Sequence, residues 1–479
     1  MGKERQINES GTIHHSIIKI LIIVTALFMV AVICGLFVQE GVLFQKWDII
    51  LFPIAALLVA GIIYCIWKVS DSKKIASRTI LVGILMIGTA IRTWYVLSVP
   101  GIPESSWKLV LQVSWMTAQG DLSWVNAQYF KNFAFFIPFV YYQAGVLSVL
   151  PSVWALKFCN LFWILGSNYL LYRIARELTS EKTALVATAL YALYPEVTNV
   201  APVLMNGHIA TFFFLLALFV MLRCRTKLGF FVAGILFGIS NMMRPIVIIT
   251  MIAVICVMIA IIISNKNRAE KQSLLVSFAL LLLGYFFITE GTELLLKTIG
   301  IAPFGISNNV PEWKFLLGLD SAGRGLWREE YYYVLGMDDP GLRRKEVGKL
   351  IINSWKNGGN PVIFFGGKVF VQWCYYIRSE LQCVDHLAWV LNAVILLLVW
   401  VMSLLSLRNL KKNDTYTVFQ FLMVLIFLGD FLIYLLIEVS PRYRYNTMPI
   451  MFILASTALA EWIGKRRKPV RDEIVLSES

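Results

Sequence analysis

Charged residues are scarce in this sequence: they make up 15% of its 479 residues, whereas hydrophobic residues make up 58%. A soluble protein with so few charges could not cover its surface with polar groups, so a soluble globular domain is excluded. The chain also lacks internal repeats, a glycine-rich phosphate-binding loop and metal-ligand spacing, so we expect no cofactor and no metal ion. The composition predicts a polytopic, all-helical membrane protein.

Cysteines are few and show no metal-binding spacing. Five of the seven fall in apolar runs, where a thiol behaves as a small hydrophobic group, and we expect core positions for Cys34, Cys65, Cys159, Cys224 and Cys256. Cys374 and Cys383 fall in an outer loop in the topology derived below. The sequence leaves open whether these two form a disulfide or remain free thiols.

The net charge of +14 comes from short basic clusters between apolar runs. Such clusters mark the cytoplasmic loops of a membrane protein and argue against nucleic-acid binding. The first apolar run is more than twenty residues long and has no small-residue cleavage site, so we expect a span rather than a signal peptide. Both termini are then predicted to be cytoplasmic.

About twelve apolar segments are predicted to cross the membrane: 16–38, 48–67, 79–98, 153–172, 183–194, 202–222, 230–243, 246–263, 274–289, 387–407, 417–437 and 446–462. The stretch 132–150 is also apolar. Counting it as a span would place Arg173, Arg176 and Lys182 outside. We therefore predict an interfacial or re-entrant helix on the outer side for 132–150.

This topology divides the chain into five consecutive parts. They are an N-terminal cytoplasmic lead and two-helix extension (1–78), a helical core with the first outer loop at 99–152 (79–289), a large extracytoplasmic loop region (290–386), C-terminal transmembrane helices (387–463) and a basic cytoplasmic tail (464–479). Within the large loop, the apolar run 361–377 is predicted to lie along the membrane surface, with Trp373 and the two tyrosines after Cys374 as anchors.

The polar segments that are not plainly basic all fall on the predicted outer side. They are 99–152, the turn at Pro195, Arg244-Pro245, 290–386 and 438–445. Within the last, the guanidinium groups of Arg442 and Arg444 match phosphate oxygens in geometry. The alternative is that both arginines extend to lipid headgroups. Convergence of these segments predicts a site at the outer face of the membrane.

The segment Pro441-Arg-Tyr-Arg-Tyr445, just ahead of a final span with Met448-Pro449, resembles the closing motif of bacterial glycosyltransferase family 39-like proteins. These proteins are of the GT-C class and are related to protein mannosyltransferases and to the aminoarabinose transferase of lipid A. Over roughly residues 79–463, other segments resemble the Gram-positive branch in the same order: Ile102-Pro103 to Gly120-Asp121, Tyr129-Phe130-Lys131, Leu171 to Arg176, Tyr194-Pro195, Arg244-Pro245, Trp313 to Asp320 and Gly325 to Trp327.

The resemblance implies a GT-C-like fold with interfacial outer-loop helices, in the cell membrane. It implies that a sugar passes from a polyprenyl-phosphate donor to an acceptor of the cell envelope, outside the membrane. An outer-loop carboxylate orients or deprotonates the acceptor, and cations hold the phosphate. By position, the phosphate contacts are Lys131, Arg442 and Arg444, with Arg92 as a further candidate because an ionisable group in a span usually has a reason.

Two positions depart from the family pattern. Ser106 and Gly207 stand where acids are expected; the acid nearest to Ser106 is Glu104, which becomes the candidate catalytic base, and Asp121 is the other local acid. His208 is either a base or hydrogen-bonded structure.

In the large loop, Asp320 belongs either to an acceptor-binding face or to a solvated mixed-charge surface. The missing acids leave room for a non-catalytic protein that binds or assists lipid-linked sugars, and a transporter or flippase is a third possibility.

Overall fold

The computed structural model of the protein describes residues 19–38, 45–72, 75–101, 105–224, 226–245, 247–264, 267–411 and 415–462. Several predictions fall outside these ranges: the cytoplasmic lead at 1–15, parts of the basic loops, the tail at 464–479 and Glu104. Within the described ranges the protein is all-helical, and its β-type pairing is a single isolated bridge between Phe133 and Asn308.

Twenty α-helices follow one another along the described chain. They are α1 (Lys19–Val38), α2 (Asp48–Asp71), α3 (Ser77–Ser98), α4 (Ser105–Ala118), α5 (Gln128–Asn132), α6 (Ile137–Val149), α7 (Val153–Leu178), α8 (Glu181–Ala192), α9 (Pro195–Asn199), α10 (Gly207–Arg223), α11 (Lys227–Met243), α12 (Val247–Ser264), α13 (Arg268–Thr298), α14 (Pro311–Leu319), α15 (Tyr332–Leu335), α16 (Pro340–Lys356), α17 (Pro361–Val369), α18 (Gln382–Ser406), α19 (Thr415–Leu436) and α20 (Met448–Trp462).

Every predicted span coincides with one of these helices. Six helices in the described residues are long and apolar enough to cross a membrane, namely α1, α2, α3, α13, α18 and α19. Apart from α7, which has 26 residues, the other helices are shorter: α8, for example, has 12 residues, a length of about 18 Å against an apolar bilayer thickness of about 30 Å. The fold is therefore that of a polytopic helical membrane protein with long and short helices packed together.

The stretch 132–150 does not form a straight additional span. Residues Ala134–Val149 make an angle of 118° with α7, which is the geometry of a broken span or a re-entrant segment. The break lies at Pro151, and Ser152 begins α7 by accepting a hydrogen bond from the Trp154 amide at 3.2 Å. If this bent pair is counted as one span, the described residues contain up to seven segments that are long and apolar enough to cross a membrane.

The basic loops meet at one end of the helices. Lys182, between α7 and α8, forms an ion pair with Asp71 at the end of α2. Arg223 at the end of α10 lies 3.7 Å from Glu177 near the end of α7. The loops after α2, α7 and α10 therefore share one end of the molecule, as the charge pattern predicts.

Close helix packing holds the core around α10, α11 and α13. A Cβ atom added at Gly234 would lie 2.0 Å from the Leu281 carbonyl oxygen, and one at Gly284 would lie 2.3 Å from the Phe231 oxygen. Glycine is therefore required at both positions for α11 and α13 to approach this closely, as in other membrane helix interfaces.

Trp373 is not an interfacial anchor as predicted. The indole is 1% exposed and packs against Trp400, Phe427 and Phe431 inside the helical core. The reason is a π-helical turn at Phe370–Cys374, which follows α17 and directs the aromatic side chain inward. Tyr376 is also buried, so of the three predicted anchors only Tyr375 is exposed.

The cysteines also differ from the expectation. Cys34, Cys65, Cys224 and Cys256 are exposed on the helix surfaces, where an apolar thiol suits a lipid environment. No disulfide joins Cys374 to Cys383: Cys374 is buried with its sulfur 3.5 Å from the Val32 oxygen, whereas Cys383 is exposed.

Candidate functional site

Three of the predicted outer segments meet around Tyr129 in α5. Its hydroxyl group lies close to the Ser106 side chain of α4 and within electrostatic range of Tyr332 and Glu438. Burial raises the pKa of the Tyr129 phenol, so it remains protonated and available as a hydrogen-bond donor. The first outer loop, the large loop and the turn at 438–445 thus form one surface.

Glu438 is the carboxylate of this surface that sequence reasoning did not assign to the chemistry. Its Oε1 accepts hydrogen bonds from the Lys314 ammonium at 2.8 Å and from the Tyr443 hydroxyl. Its backbone amide donates to the Lys314 carbonyl at 3.1 Å. Among the described residues its buried Oε2 has no hydrogen-bond partner, so one carboxylate oxygen is free to accept a proton or a hydrogen bond.

Arg442 and Lys131 are the two predicted phosphate contacts that are not buried in the protein. Arg442 is exposed, and its guanidinium makes no hydrogen bond or ion pair with the described part of the chain. Lys131 is half-buried, with its ammonium 5.1 Å from the centre of the Phe304 ring and no carboxylate partner among the residues described. Both cations can therefore bind an anion without first breaking an ion pair.

Arg444 has a different environment from Arg442, although the two are only two residues apart. It is 1% exposed, and its guanidinium binds both oxygens of Glu196 as well as the carbonyls of Gln372 and Tyr375 at 3.2 and 2.8 Å. Burial acts to lower the pKa of Arg444, but the Glu196 carboxylate outweighs it and raises that pKa. The donors of Arg444 are occupied by the protein, so the geometry gives it the role of holding three segments together.

Arg92 is also buried, at 2% exposed, in α3. One terminal nitrogen donates to the Tyr191 carbonyl at 2.9 Å, whereas its Nε is buried with no partner among the described residues. Its surroundings include the aromatic rings of Tyr191 and Tyr445. This guanidinium therefore lies between helices and not on the exposed surface that carries Arg442.

His208 has both ring nitrogens in hydrogen bonds within the protein. Nε2 lies 3.1 Å from the Val200 carbonyl oxygen and Nδ1 lies 2.9 Å from the Tyr445 hydroxyl. A carbonyl oxygen can only accept, so Nε2 carries the proton and Nδ1 accepts from Tyr445. The structure thus matches the hydrogen-bonded alternative for His208, which links α10 to the turn at 438–445.

The buried Arg244 lies beside Gly207, where the resemblance expects an acid. A Cβ atom at Gly207 would be 3.2 Å from Nη1 of Arg244, and Arg244 is within electrostatic range of Asp430 in α19. Asp430 also accepts a hydrogen bond from the Thr447 hydroxyl. The carboxylate near Arg244 therefore comes from α19 and not from α10. Asp430 was detectable as the acid in an otherwise apolar span.

Asp320 is 1% exposed and stabilises its own turn. Its carboxylate accepts from the amides of Ala322 at 3.3 Å and Gly323 at 3.0 Å and lies 3.1 Å from Arg328. This arrangement makes Asp320 part of the wall of the loop. It does not bring Asp320 to Arg442 or Lys131 through any contact among the described residues.

Glu104 lies outside the described residues, so its side chain has no assigned position. The next described residues begin α4, and Ser106 at its start is on the surface around Tyr129. No group of three or more metal-ligating side chains occurs in the described ranges.

Comparisons with known proteins bear on this site. The family model for dolichyl-phosphate-mannose-protein mannosyltransferase matches residues 137–288. Comparison with curated protein sequences finds no match.

Among solved structures, the crystal structure of the Archaeoglobus fulgidus oligosaccharyltransferase tethered with an acceptor peptide is similar, with 13% identity, a TM-score of 0.47 and coverage of 80% of this chain and 49% of that chain. The archaeal oligosaccharyltransferase AglB from Archaeoglobus fulgidus, in complex with an inhibitory peptide and a dolichol-phosphate, gives 14% identity, a TM-score of 0.46 and coverage of 83% and 53%. The chain thus spans about half the length of these two proteins.

The family match confirms for residues 137–288 the resemblance to membrane glycosyltransferases of the protein-mannosyltransferase type in the GT-C class.

Proposed function

We propose that this protein transfers a sugar from a polyprenyl-phosphate donor to an acceptor of the cell envelope, on the outer side of the cell membrane. The observation that carries the proposal is the junction of three outer segments at Tyr129, with Glu438 and the exposed Arg442 on the same turn. The match at 137–288 to a family named for a dolichyl-phosphate sugar donor supports the donor class.

The reaction assigns a role to each charged group. An acceptor hydroxyl attacks the anomeric carbon of the sugar, the bond from that carbon to the phosphate oxygen breaks, and the phosphate leaves with the electron pair. Arg442 and Lys131 neutralise the charge that develops on the leaving phosphate. A carboxylate takes the acceptor proton. Glu104 is the proposed base, and Glu438 is a second candidate because its Oε2 is free.

Arg444 and Arg92 support the donor site from within the protein. Arg444 holds the turn that carries Arg442 through its bonds to Glu196 and to two backbone carbonyls. Arg92 holds α3 against the end of α8 through Tyr191. Neither residue is required to touch the phosphate for this purpose.

Donor binding without transfer is the second candidate function. Ser106 lies beside the Tyr129 hydroxyl, and a hydroxyl group cannot act as an unaided general base. If neither Glu104 nor Glu438 replaces the missing acid, the protein binds a lipid-linked sugar without transferring it. The two functions predict the same donor affinity and differ in turnover.

The test uses the full-length protein in nanodiscs with a fluorescent polyprenyl-phosphate sugar. Arg442→Ala should weaken donor binding by about 10- to 150-fold, because a charge-assisted hydrogen bond contributes about 1.5–3 kcal/mol. The control Arg408→Ala removes an equal exposed charge at the predicted cytoplasmic end and should leave donor affinity unchanged.

Transfer and sugar release are then measured with saturating donor. Glu104→Gln should retain donor affinity and lower turnover by about 10²- to 10⁴-fold, whereas the exposed outer-loop control Glu329→Gln should retain both. If Glu438→Gln shows that loss and Glu104→Gln does not, the base is Glu438. Binding with no turnover in the unmodified protein supports the second function, and absence of donor binding overturns both.

A further inference from the structure

The large outer loop contains a cavity of about 520 Å³ that is separate from the Tyr129 junction. It lies between the turn that follows α14, the end of α16 and the start of α17. One part of its lining carries Arg324, Arg328 and Tyr331, and another part, called here the asparagine wall, carries Asn353, Asn357 and Asn360. Its volume is within the range of about 300–1,000 Å³ found for small-molecule sites.

The asparagine wall can bind hydroxyl groups. Asn353 and Asn357 are exposed and four residues apart, so they lie on one face at the end of α16. The Oδ1 atom of Asn360 accepts from the amides of Val362 and Ile363 at 3.0 and 3.2 Å, which fixes its side chain at the start of α17 and leaves its NH₂ group free. A carboxamide both donates and accepts, which suits the adjacent hydroxyls of a sugar.

The part of the lining with Arg324, Arg328 and Tyr331 carries one positive charge that has no acidic partner among the described residues. Arg328 is neutralised by Asp320 and Glu330, and its guanidinium lies 5.5 Å from the centre of the Tyr331 ring. Arg324 is exposed and makes no ion pair or hydrogen bond in the described part of the chain. The cavity thus has a free guanidinium that can bind a carboxylate or a phosphate in a bidentate manner.

The backbone holds Arg324 in an uncommon conformation. Its φ angle is +51°, which non-glycine residues rarely adopt, and the following Gly325 has a φ angle of +82°. A Cβ atom at Gly325 would be 2.9 Å from Lys368 Cε, so glycine is required there for the turn to pack. Strained residues of this kind persist where the surrounding structure holds them, often at ligand-binding positions.

The turn at Arg324 is joined directly to the turn that carries Arg442. The Val439 amide donates to the Gly325 carbonyl at 2.9 Å. Lys368 binds the Leu435 and Ile437 carbonyls at 2.8 Å and also the Gly318 carbonyl, so it ties α14 to the end of α19. The lining of the cavity is therefore connected through the backbone to the turn that carries Arg442.

We propose that this cavity binds an anionic saccharide, with the amides on its hydroxyl groups and Arg324 on its carboxylate or phosphate. This assignment rests on the proposed function, in which the saccharide is the part of the acceptor that extends away from the reacting hydroxyl group. The amide wall alone would suit a neutral sugar. The unpaired, conformationally fixed Arg324 selects one with a negative charge.

The test measures binding of a uronate-containing tetrasaccharide to the full-length protein in zwitterionic nanodiscs by isothermal titration calorimetry, without donor. The neutral comparison is the same tetrasaccharide with its carboxylates reduced to alcohols, and inorganic phosphate and a phosphorylated tetrasaccharide are titrated separately. Arg324→Asn removes the charge and keeps a residue that accepts a positive φ angle. Arg344→Gln is the matched control, since Arg344 is exposed on α16 and does not line the cavity.

At least one of the two anionic tetrasaccharides should bind at least about tenfold more tightly than the neutral one, and the preferred one identifies the anionic group. Arg324→Asn should remove that preference, whereas Arg344→Gln should keep it. Asn353→Ala should weaken the anionic and neutral forms by the same factor, since it removes contacts to hydroxyl groups only.

Equal affinity for charged and neutral tetrasaccharides overturns the role of Arg324. Inorganic phosphate binding as tightly as the tetrasaccharides shows an anion site only and overturns the saccharide assignment, as does absence of tetrasaccharide binding. If the protein still binds the polyprenyl-phosphate donor in that case, the proposed function is retained. Conversely, saccharide binding without donor binding refutes the proposed function and retains the site.

Discussion

Replacing Arg444 separates a structural arginine from a phosphate ligand two residues away. The variant Arg444→Met keeps an apolar stem of similar length and removes the guanidinium that binds Glu196, Gln372 and Tyr375. Glu196, whose side chain is 4% exposed, would then keep only the hydrogen bond from the Tyr194 hydroxyl at 2.6 Å. A buried carboxylate would lose its positive partner.

The expected cost follows from that burial. Removing one member of a buried ion pair lowers the free energy of unfolding by about 3–5 kcal/mol, because the remaining charge is uncompensated. Glu196→Gln should cost less, since the two carbonyl acceptors of Arg444 remain. The double variant Glu196→Gln with Arg444→Met should be more stable than the sum of the single losses by about 1–3 kcal/mol.

The assay is denaturant unfolding in mixed micelles, with donor affinity measured in parallel. Arg442→Ala is the comparison, because an exposed substitution changes the free energy of unfolding by only about 0.5 kcal/mol or less. We expect Arg444→Met to lose stability and Arg442→Ala to lose donor affinity. If Arg444→Met keeps its stability and loses donor affinity as Arg442→Ala does, Arg444 is a direct ligand and the structural role is refuted.

Two further predictions concern topology and pH. A reporter fused after Arg176 or Arg268 should be cytoplasmic, and a reporter fused near Asp338 should be outside. If the reporter after Arg176 is outside, α6 crosses the membrane and the predicted loop orientation is wrong. Burial lowers the pKa of Lys368 from 10.5 to about 7. Between pH 7 and pH 10.5 the unfolded chain therefore keeps a proton on Lys368 that the folded protein binds only in part. The free energy of unfolding should rise with pH in this range, because the unfolded state binds more protons. Lys368→Met should remove this rise and the exposed control Lys349→Met should keep it, as measured by unfolding at pH 7 and 9.

The helices and the grouping of loops could be predicted from the sequence because their signals are local. Apolar runs set the helix positions, and short basic clusters indicate which loops share a side. The contact of Lys182 with Asp71 agrees with that grouping. The charges at Arg173, Arg176 and Lys182 were sufficient to predict that 132–150 is not a straight additional span, and the angle of 118° agrees with that prediction.

The environments of the site residues could not be predicted because their partners are remote in sequence. Arg442 and Arg444 have the same residue type and neighbouring tyrosines, yet only Arg444 meets Glu196, which is 248 positions away. Trp373 was expected at the membrane surface because the preceding glycines suggested an interrupted helix. The π-helical turn that buries it has no simple sequence signal.

The two positions that lack the expected acids each lie near a carboxylate from another part of the chain. Ser106 lies beside Tyr129, which is within electrostatic range of Glu438. A Cβ atom at Gly207 would be 3.2 Å from Arg244, which is within electrostatic range of Asp430. A side chain at 207 would enter the space next to the Arg244 guanidinium, so glycine there accommodates the arginine that faces Asp430. A buried acid in a span is costly, and Asp430 accepts a hydrogen bond from the Thr447 hydroxyl and lies within electrostatic range of Arg244. Positions 106 and 207 lack acids, but carboxylates from other parts of the chain are present in the structure around them. This favours the proposed transfer over donor binding alone.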